Sequence, residues 1–221
     1  MKNRAVIFAN GELRSVDIVR KQIQSHDFII AADGGQRHLQ TLGLRPDLLI
    51  GDLDSLSQQE IDGIQSSKVE VMRFACQKDE TDLELAIHAV IQRGFQDLLI
   101  IAALGGRLDQ TLGNLSLLLR PELTDCQVRL DDGCEEVWLV RSSLTIYGRA
   151  GERLSLLALG VAARGIQTEG LQYSLHGETL EAHQTRGISN VMTSSVARIS
   201  LSSGPLICIH ARKNSKCDCQ N

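Results

Sequence analysis

The chain has 221 residues, 43% of them hydrophobic, which is enough for one large domain or two modest ones. Its formal net charge of -4 gives no overall basic character of the kind that binds nucleic acid. No apolar run approaches the roughly 18 residues that a membrane-spanning helix needs, so we do not expect a membrane protein. The six cysteines match no zinc-binding spacing, and we expect reduced thiols in a cytoplasmic protein.

The first half of the chain alternates strand-like and helix-like segments. Short apolar runs predict strands at 4–9, 28–32, 48–50, 69–74 and 98–104. Helical spacing is found between them, for example at 12–25 and from 81 onward. This alternation is typical of a parallel sheet covered by helices, and such sheets bind their ligands at the carboxyl ends of the strands.

The most informative stretch is 46–55, which reads PDLLIGDLDS. Gly51 closes a buried strand, and Asp52 and Asp54 follow two residues apart, so both can project to the same side. Two close carboxylates repel each other unless a proton or cation lies between them. A hard cation such as Mg²⁺ fits when phosphates share the site. The alternative is a loop with two solvated acids, in which Asp54 or Ser55 caps the next helix.

A second acidic pair, Asp79 and Asp82, precedes a helix expected to begin near Thr81, whose hydroxyl can cap it. The two acids are three residues apart and can face one side of the first turn. Acids at this position also favour the helix dipole without any ligand.

The segment GGRLDQ follows the most apolar predicted strand. Gly105 and Gly106 allow the backbone to approach a phosphate, and Arg107 offers a planar donor fork for phosphate oxygens. Asp109 adds a carboxylate. Alone, this loop could be a tight turn with a surface ion pair. Together with Asp33-Gly34-Gly35 after the second strand and the two acidic pairs, it predicts one phosphate-and-metal cleft.

After about residue 120 the helical spacing stops, and short β-rich runs begin, separated by Gly, Ser and Asn; they predict strands that include 173–175 and 187–189. The expected fold is α/β: a Rossmann-like parallel-sheet domain at 1–130, followed by a small antiparallel β-sandwich or barrel domain at 131–212. Residues 213–221, which include Cys217 and Cys219, are expected to form a flexible tail.

Six motifs occur in a characteristic order: ADGG (32–35), GDLDS (51–55), KDETD (78–82), GGRLDQ (105–110), TEGLQYSL (168–175) and TRGISN (185–190). In this series the chain resembles the thiamin pyrophosphokinase family, from about Ala5 to Ala211. The resemblance implies an α/β nucleotide domain joined to a C-terminal β domain that binds thiamine. It also implies transfer of the pyrophosphoryl group of ATP to the hydroxyethyl oxygen of thiamine, giving thiamine diphosphate and AMP.

The resemblance also implies roles for particular residues. The expected Mg²⁺ ligands are Asp52, Asp54, Asp79 and Asp82. The residues expected along ATP are Asp33, Gly34, Gly35, Gly105, Gly106 and Arg107. Catalytic roles fall to Asp54, Asp109 and Arg107, and thiamine contacts to Ser189 and Asn190. Family members are homodimers with thiamine sites at the subunit interface, so we expect a homodimer, with no nucleic-acid or membrane partner.

The chain departs from the family pattern at two points. The GGRLDQ loop ends in Gln110, where many bacterial relatives have His, so no catalytic histidine is available there. Animal and fungal relatives have a Trp near the C-terminus that packs on thiamine, whereas the single Trp here is Trp138 and no aromatic residue follows Tyr173.

Two other functions remain open from the residues alone. One is a Mg²⁺-dependent phosphohydrolase, in which Asp52 would act as a covalent nucleophile. The other is a non-catalytic sensor of nucleotide or thiamine. Product analysis separates these functions from pyrophosphoryl transfer.

Overall fold

The computed structural model describes residues 4–52, 69–75, 77–213 and 217. The chain divides into two compact units, Met1–Gly133 and Cys134–Asn221. In the parts of the chain that are described, none of the helices combines the length and apolar character needed to cross a lipid bilayer.

The first unit is an α/β domain, as predicted. Its elements are β1 (Arg4–Phe8), α1 (Val16–Gln22), β2 (Phe28–Ala32), α2 (Gln36–Leu42), β3 (Leu48–Gly51), β4 (Glu70–Arg73), α3 (Asp82–Gln92), β5 (Asp97–Ile101), α4 (Leu108–Leu117) and β6 (Gln127–Asp131). The strands pair in parallel in the order β6-β5-β1-β2-β3-β4. Short 3₁₀ turns lie at Asp33–Gly35 and Pro121–Leu123.

The core of this unit explains why its strands are continuous apolar runs. The apolar side chains of β1 and β5 are almost wholly buried; Ile7 and Phe8 are 0% exposed and Leu99 is 1% exposed. Strands of a parallel sheet are covered on both faces, so they do not alternate with polar residues. Full burial of each such side chain stabilises the fold by about 1.5–3 kcal/mol.

The predicted start of α3 is confirmed. Thr81 is extended and its hydroxyl oxygen accepts a hydrogen bond from the Glu84 amide at 3.2 Å, which caps the first turn. The helix buries Leu83, Ala86 and Val90. The segment after Asp54, where the sequence also suggested a helix capped by Asp54 or Ser55, lies outside the described residues.

The second unit contains only strands among its described elements: β7 (Glu135–Val140), β8 (Ser143–Tyr147), β9 (Arg153–Ala158), β10 (Ala163–Glu169), β11 (His176–Leu180), β12 (Asn190–Val191), β13 (Val196–Ser200) and β14 (Leu206–Ala211). Within this unit, β12-β9-β14-β7 form one antiparallel arrangement and β11-β10-β13-β8 another. Buried residues from both arrangements, such as Leu156 and Ile199, share one core. The predicted small antiparallel domain is therefore confirmed.

Two local predictions in the second half are wrong. The structure places no strand at 173–175 or at 187–189, where apolar residues suggested them. Cys134 and Cys217 form a disulfide, with Cα atoms 5.4 Å apart, where reduced thiols were expected. The antiparallel pairing of β14 with β7 is consistent with this disulfide, because it sets Ala211 opposite Glu135 and so brings the end of β14 next to the start of β7.

Candidate active site

A cleft of about 510 Å³ opens at the carboxyl end of the parallel sheet in the first unit. The strand order reverses at β1, which has β2 on one side and β5 on the other, and this is where open α/β sheets bind ligands. The cleft is lined by residues 9–12 after β1, 32–33 at the end of β2, 37 on α2, 52 after β3, 78 and 80–83 before and at the start of α3, and 103, 105–107, 110 and 114 after β5 and on α4.

Of the acids predicted to bind Mg²⁺, the structure brings Asp52 and Asp82 to this cleft. Asp82 forms an ion pair with Lys78, at 2.5 Å between Oδ1 and Nζ. Asp79 is exposed and is not among the lining residues. Asp54 lies outside the described residues. In the described parts of the chain, no three His, Cys, Asp or Glu side chains are grouped closely enough to hold a metal ion.

The loop after β5 uses the conformational freedom of its two glycines. Gly105 and Gly106 have φ angles of +75° and +69°, a left-handed conformation that glycine adopts without strain. The Gly106 amide donates a hydrogen bond to Oε1 of Glu12 at 3.1 Å. A carboxylate therefore already occupies one amide of this loop, which indicates that the loop can bind an anionic oxygen.

Arg107 lines the cleft, and Asp109 pairs with it on the first turn of α4. Both side chains are largely exposed, so the ion pair that was the alternative interpretation of this loop is present. The hydrogen bond from Arg107 and one from the Gln110 amide hold the pKa of Asp109 below its ordinary value. Asp109 itself is not among the lining residues.

The turn after β2 contributes Asp33 to the cleft, while Gly34 and Gly35 are not lining residues. Close packing explains why both positions are glycine. A Cβ atom at Gly35 would lie 1.9 Å from the carbonyl oxygen of Phe8, and one at Gly34 would lie 2.4 Å from the Asn10 side chain. These glycines let the turn pack closely on the end of β1, which fixes Asp33.

Several lining residues, among them Glu12 and Arg37, were missed by sequence reasoning. Glu12 follows β1 and bonds to the Gly106 amide, and Arg37 on α2 donates from Nη2 to the carbonyl oxygens of Asn10 and Gly11, at 2.8 and 3.0 Å. The neighbouring His38 is buried, and burial lowers the pKa of its imidazole. Glu12 comes soon after a predicted strand, and this position could have indicated a site residue. Arg37 lies within a helix, and its position in the sequence gave no such indication.

The residues predicted to contact thiamine lie in the second unit, before and at β12. Asn190 is buried; its Oδ1 accepts from the Tyr173 amide at 3.0 Å and its Nδ2 donates to the Tyr173 carbonyl at 2.7 Å. Ser189 has a φ angle of +61°, and its amide donates to the Ser155 hydroxyl at 3.0 Å. The side chains of Tyr173 and Ile188, in contrast, are exposed.

Comparison with known proteins gives two matches to family models. Residues 19–130 match the model described as thiamin pyrophosphokinase, catalytic domain. Residues 143–206 match the model described as thiamin pyrophosphokinase, vitamin B1 binding domain. The chain is also 26% identical over 207 residues to a thiamine pyrophosphokinase of Bacillus subtilis, covering 93% of this chain and 97% of that protein.

Solved structures agree with these matches. The crystal structure of thiamine pyrophosphokinase from Bacillus subtilis superposes with a TM-score of 0.84 at 25% identity, covering 96% of this chain and 100% of that one. Yeast thiamin pyrophosphokinase, at 18% identity, shares the fold with a TM-score of 0.74 over 95% of this chain and 86% of that one. The two-domain fold, the cleft and both family models lead to one conclusion: the chain belongs to the thiamin pyrophosphokinase family.

Proposed function

We propose that this chain is a transferase that moves the pyrophosphoryl group of ATP to thiamine, giving thiamine diphosphate and AMP. The observation that carries the proposal is a single cleft lined by Asp52, Asp82, Arg107 and the glycine loop at 105–106. Carboxylates, an arginine and loop amides in one site are the groups that phosphoryl transfer uses. The matches at 19–130 and 143–206 support thiamine as the acceptor.

The two units divide this work. We assign nucleotide binding and catalysis to residues 1–130 and thiamine binding to residues 131–212, with 213–221 as a C-terminal tail. Asp33, Gly105, Gly106 and Arg107 are the lining residues assigned to ATP. Gly34 and Gly35 support that site by holding Asp33 in place.

The reaction needs no covalent enzyme intermediate. The hydroxyethyl oxygen of thiamine forms a bond to the β-phosphorus of ATP, while the bond from that phosphorus to the oxygen bridging the α- and β-phosphates breaks. AMP leaves with that oxygen, and the hydroxyl proton is released to solvent. The protein holds the alcohol in line and stabilises charge on the phosphate oxygens, with Asp54 or Asp109 orienting the attacking hydroxyl.

Mg²⁺ is part of the proposal, and the cleft fits it chemically. Asp52 and Asp82 offer the carboxylate oxygens that this ion prefers, and Asp54 and Asp79 complete the set expected from the sequence. The described lining residues carry five carboxylates and three cationic side chains, a net charge of -2. Such a cleft repels a bare triphosphate, and Mg²⁺ bound with the nucleotide would neutralise charge on the phosphate oxygens.

Thiamine binding and dimer formation complete the proposal. Ser189 and Asn190 are assigned to thiamine, and the thiamine site is proposed to lie at the interface of a homodimer. On α4, Leu108 and Leu112 are 73% and 56% exposed and four residues apart. They form an apolar surface on one helix face, of the kind that a partner covers. The predictions from the sequence of a cytoplasmic location and of no nucleic-acid or membrane partner stay predictions.

The test is incubation of the purified full-length chain with ATP, Mg²⁺ and thiamine, followed by chromatography of nucleotides and thiamine species. We expect AMP and thiamine diphosphate in equal amounts, and no AMP without thiamine. Free phosphate released without thiamine would instead support the phosphohydrolase, and ligand binding without turnover would support the sensor. Sedimentation of the wild-type chain and of Leu112→Arg tests the dimer, since the variant should be a monomer.

A further inference from the structure

Arg37 is the one lining cation of the described cleft that contacts no described carboxylate. The other two lining cations are paired: Lys78 with Asp82, and Arg107 with Asp109. Arg37 instead donates from Nη2 to the main-chain carbonyls of Asn10 and Gly11, which carry no net charge. Its positive charge is therefore not neutralised by a neighbouring acid in the described structure.

The position of Arg37 is fixed by the sheet. Asn10 and Gly11 directly follow β1, and the Gly11 amide donates to the carbonyl of Ala102, just after β5, at 2.7 Å. The guanidinium is thus bonded to a main-chain segment that follows β1 and is itself hydrogen-bonded to the end of β5. The order of the sheet reverses between these two strands. Its Nη1 atom donates to none of the described residues, so donors remain for a ligand.

We infer that Arg37 binds the phosphate chain of the nucleotide, a role that neither the motifs nor the family likeness gives it. The inference rests on the proposed function. In a cleft whose described lining residues have more acids than cations, a polyanion gains most from the cation whose charge is not already paired. The Nη1 atom of Arg37 carries two N–H groups that can donate to phosphate oxygens while Nη2 stays bonded to the main chain.

The experiment measures binding of MgATP, MgADP, AMP and adenosine to the full chain by calorimetry, without thiamine so that no transfer occurs. The variants are Arg37→Gln, Arg37→Lys and a matched control, Arg20→Gln. Arg20 is an exposed arginine on α1 whose hydrogen bond also goes to a main-chain carbonyl, that of Thr41, and it does not line the cleft.

We expect Arg37→Gln to weaken MgATP binding about tenfold or more, the loss typical of a hydrogen bond to a charged group. The loss should shrink from ATP to AMP and vanish for adenosine, and the salt dependence of MgATP binding should become less steep. Arg37→Lys keeps the charge but cannot bond to the main-chain carbonyls and to a phosphate in the same geometry, so it should lose less MgATP affinity than Arg37→Gln. Arg20→Gln should match the wild type.

A purely structural role for Arg37 predicts a different pattern. In that case Arg37→Gln would weaken the binding of adenosine as much as that of ATP and leave the salt dependence of MgATP binding unchanged. Either this pattern or wild-type MgATP affinity in Arg37→Gln would overturn the inference. Should the Gln variant fail to fold, Arg37→Lys decides by the same comparison between ATP and adenosine. Suppose that the wild-type chain forms thiamine diphosphate and that Arg37→Gln binds MgATP with normal affinity. This pair of results would refute the inference about Arg37 and still support the proposed function.

Discussion

Arg107 and Asp109 are joined by two parallel hydrogen bonds, from Nε to Oδ1 at 3.1 Å and from Nη2 to Oδ2 at 2.5 Å. These bonds hold the pKa of Asp109 below its ordinary value, so Asp109 is ionised at neutral pH. A carboxylate of lowered pKa accepts hydrogen bonds well but is a poor proton acceptor. Asp109 is therefore suited to orient a hydroxyl group and to aim Arg107, more than to act as a general base.

The first prediction concerns Asp109→Asn. The amide keeps the size of the side chain but loses the ion pair with Arg107 and the charge that is proposed to orient the hydroxyl of thiamine. We expect kcat to fall about a hundredfold, the scale of a small misplacement of reacting groups, while MgATP affinity changes much less. The control is Asp125→Asn, an exposed acid away from the cleft. Unchanged kcat, or an equal loss of MgATP affinity, would remove this role from Asp109.

The second prediction separates the acids expected to bind Mg²⁺. Asp52 lines the cleft, whereas Asp79 is exposed and does not. We expect Asp52→Asn to raise the Mg²⁺ concentration needed for half-maximal activity about tenfold or more, and Asp79→Asn to raise it less. The measurement is activity as a function of free Mg²⁺ at saturating ATP and thiamine. Equal effects in both variants would contradict the geometry described for this cleft.

The strands of the first unit could be predicted because most are buried on both faces and read as apolar runs. β6 was missed because Gln127, Arg129 and Asp131 alternate with its apolar residues, a pattern that the rule of continuous apolar runs passes over. The helix predicted from residue 12 begins only at Val16. The Arg14 amide donates to the Asp132 carbonyl, a contact across more than a hundred residues that local spacing cannot reveal.

The lining residues of the candidate site were predictable where polar or charged side chains come soon after the end of a strand. Asp33, Asp52 and Arg107 follow the ends of β2, β3 and β5, and the sequence predicted each of them as a site residue; all three line the cleft. Arg37 was not found, because its place in the cleft depends on how α2 packs beside the end of β1. Asn190 bonds to Tyr173, seventeen residues away, so its role in holding that backbone was equally hidden.

The third prediction concerns Asn190, whose amide satisfies both main-chain groups of Tyr173. Asn190→Ala leaves these groups without their partner, so the free energy of unfolding should fall by about 1–3 kcal/mol. Ser189→Ala removes no hydrogen bond of the described structure and should leave stability near the wild-type value. If both residues contact thiamine, KM for thiamine rises in both variants. Loss of stability in Ser189→Ala, or none in Asn190→Ala, would contradict this assignment.

The fourth prediction concerns the disulfide between Cys134 and Cys217, which closes a loop with a sequence separation of 83 residues. Closing a long loop restricts the unfolded chain, so reductant should lower the free energy of unfolding by about 2–4 kcal/mol. Cys217→Ser should have the same effect without reductant, and Cys126→Ser, at a cysteine outside the disulfide, should still lose stability on reduction as the wild type does. Alkylation of the native, non-reduced chain at both Cys134 and Cys217 would show that the bond is not formed.

The last prediction rests on a buried histidine held between two carboxylates in the second unit. His210 Nδ1 lies 2.9 Å from Glu136 Oε1, and its Nε2 lies 2.8 Å from Glu152 Oε2. Arg212 donates to the other oxygen of Glu136, and the Lys213 amide to the other oxygen of Glu152. A neutral imidazole has only one N–H group, so both contacts are hydrogen bonds only when the ring is protonated.

Burial lowers the pKa of His210, but the hydrogen bonds with Glu136 and Glu152 outweigh burial, and the net pKa is raised above its ordinary value of 6.5. Its contribution to stability is therefore complete below the unfolded-state pKa and is lost as pH rises through the raised folded-state value. Burial also raises the pKa of the Cys208 thiol, but that contribution is lost only above the ordinary thiol value of 9.0. Burial lowers the pKa of His38, so its effect on stability changes mainly below pH 6.5. Among the described groups with a shifted pKa, His210 therefore dominates the change in stability between pH 6.5 and 9.0.

We expect the free energy of unfolding, measured by chemical denaturation, to decrease as pH rises from about 6.5 towards about 9. His210→Gln should be less stable at the lower pH, because two buried carboxylates lose their charged partner, and its stability should no longer decrease over this interval. His183→Gln, at an exposed histidine of the same unit, should follow the wild type. Wild-type stability that stays level or increases with pH would mean that His210 is neutral in the folded protein.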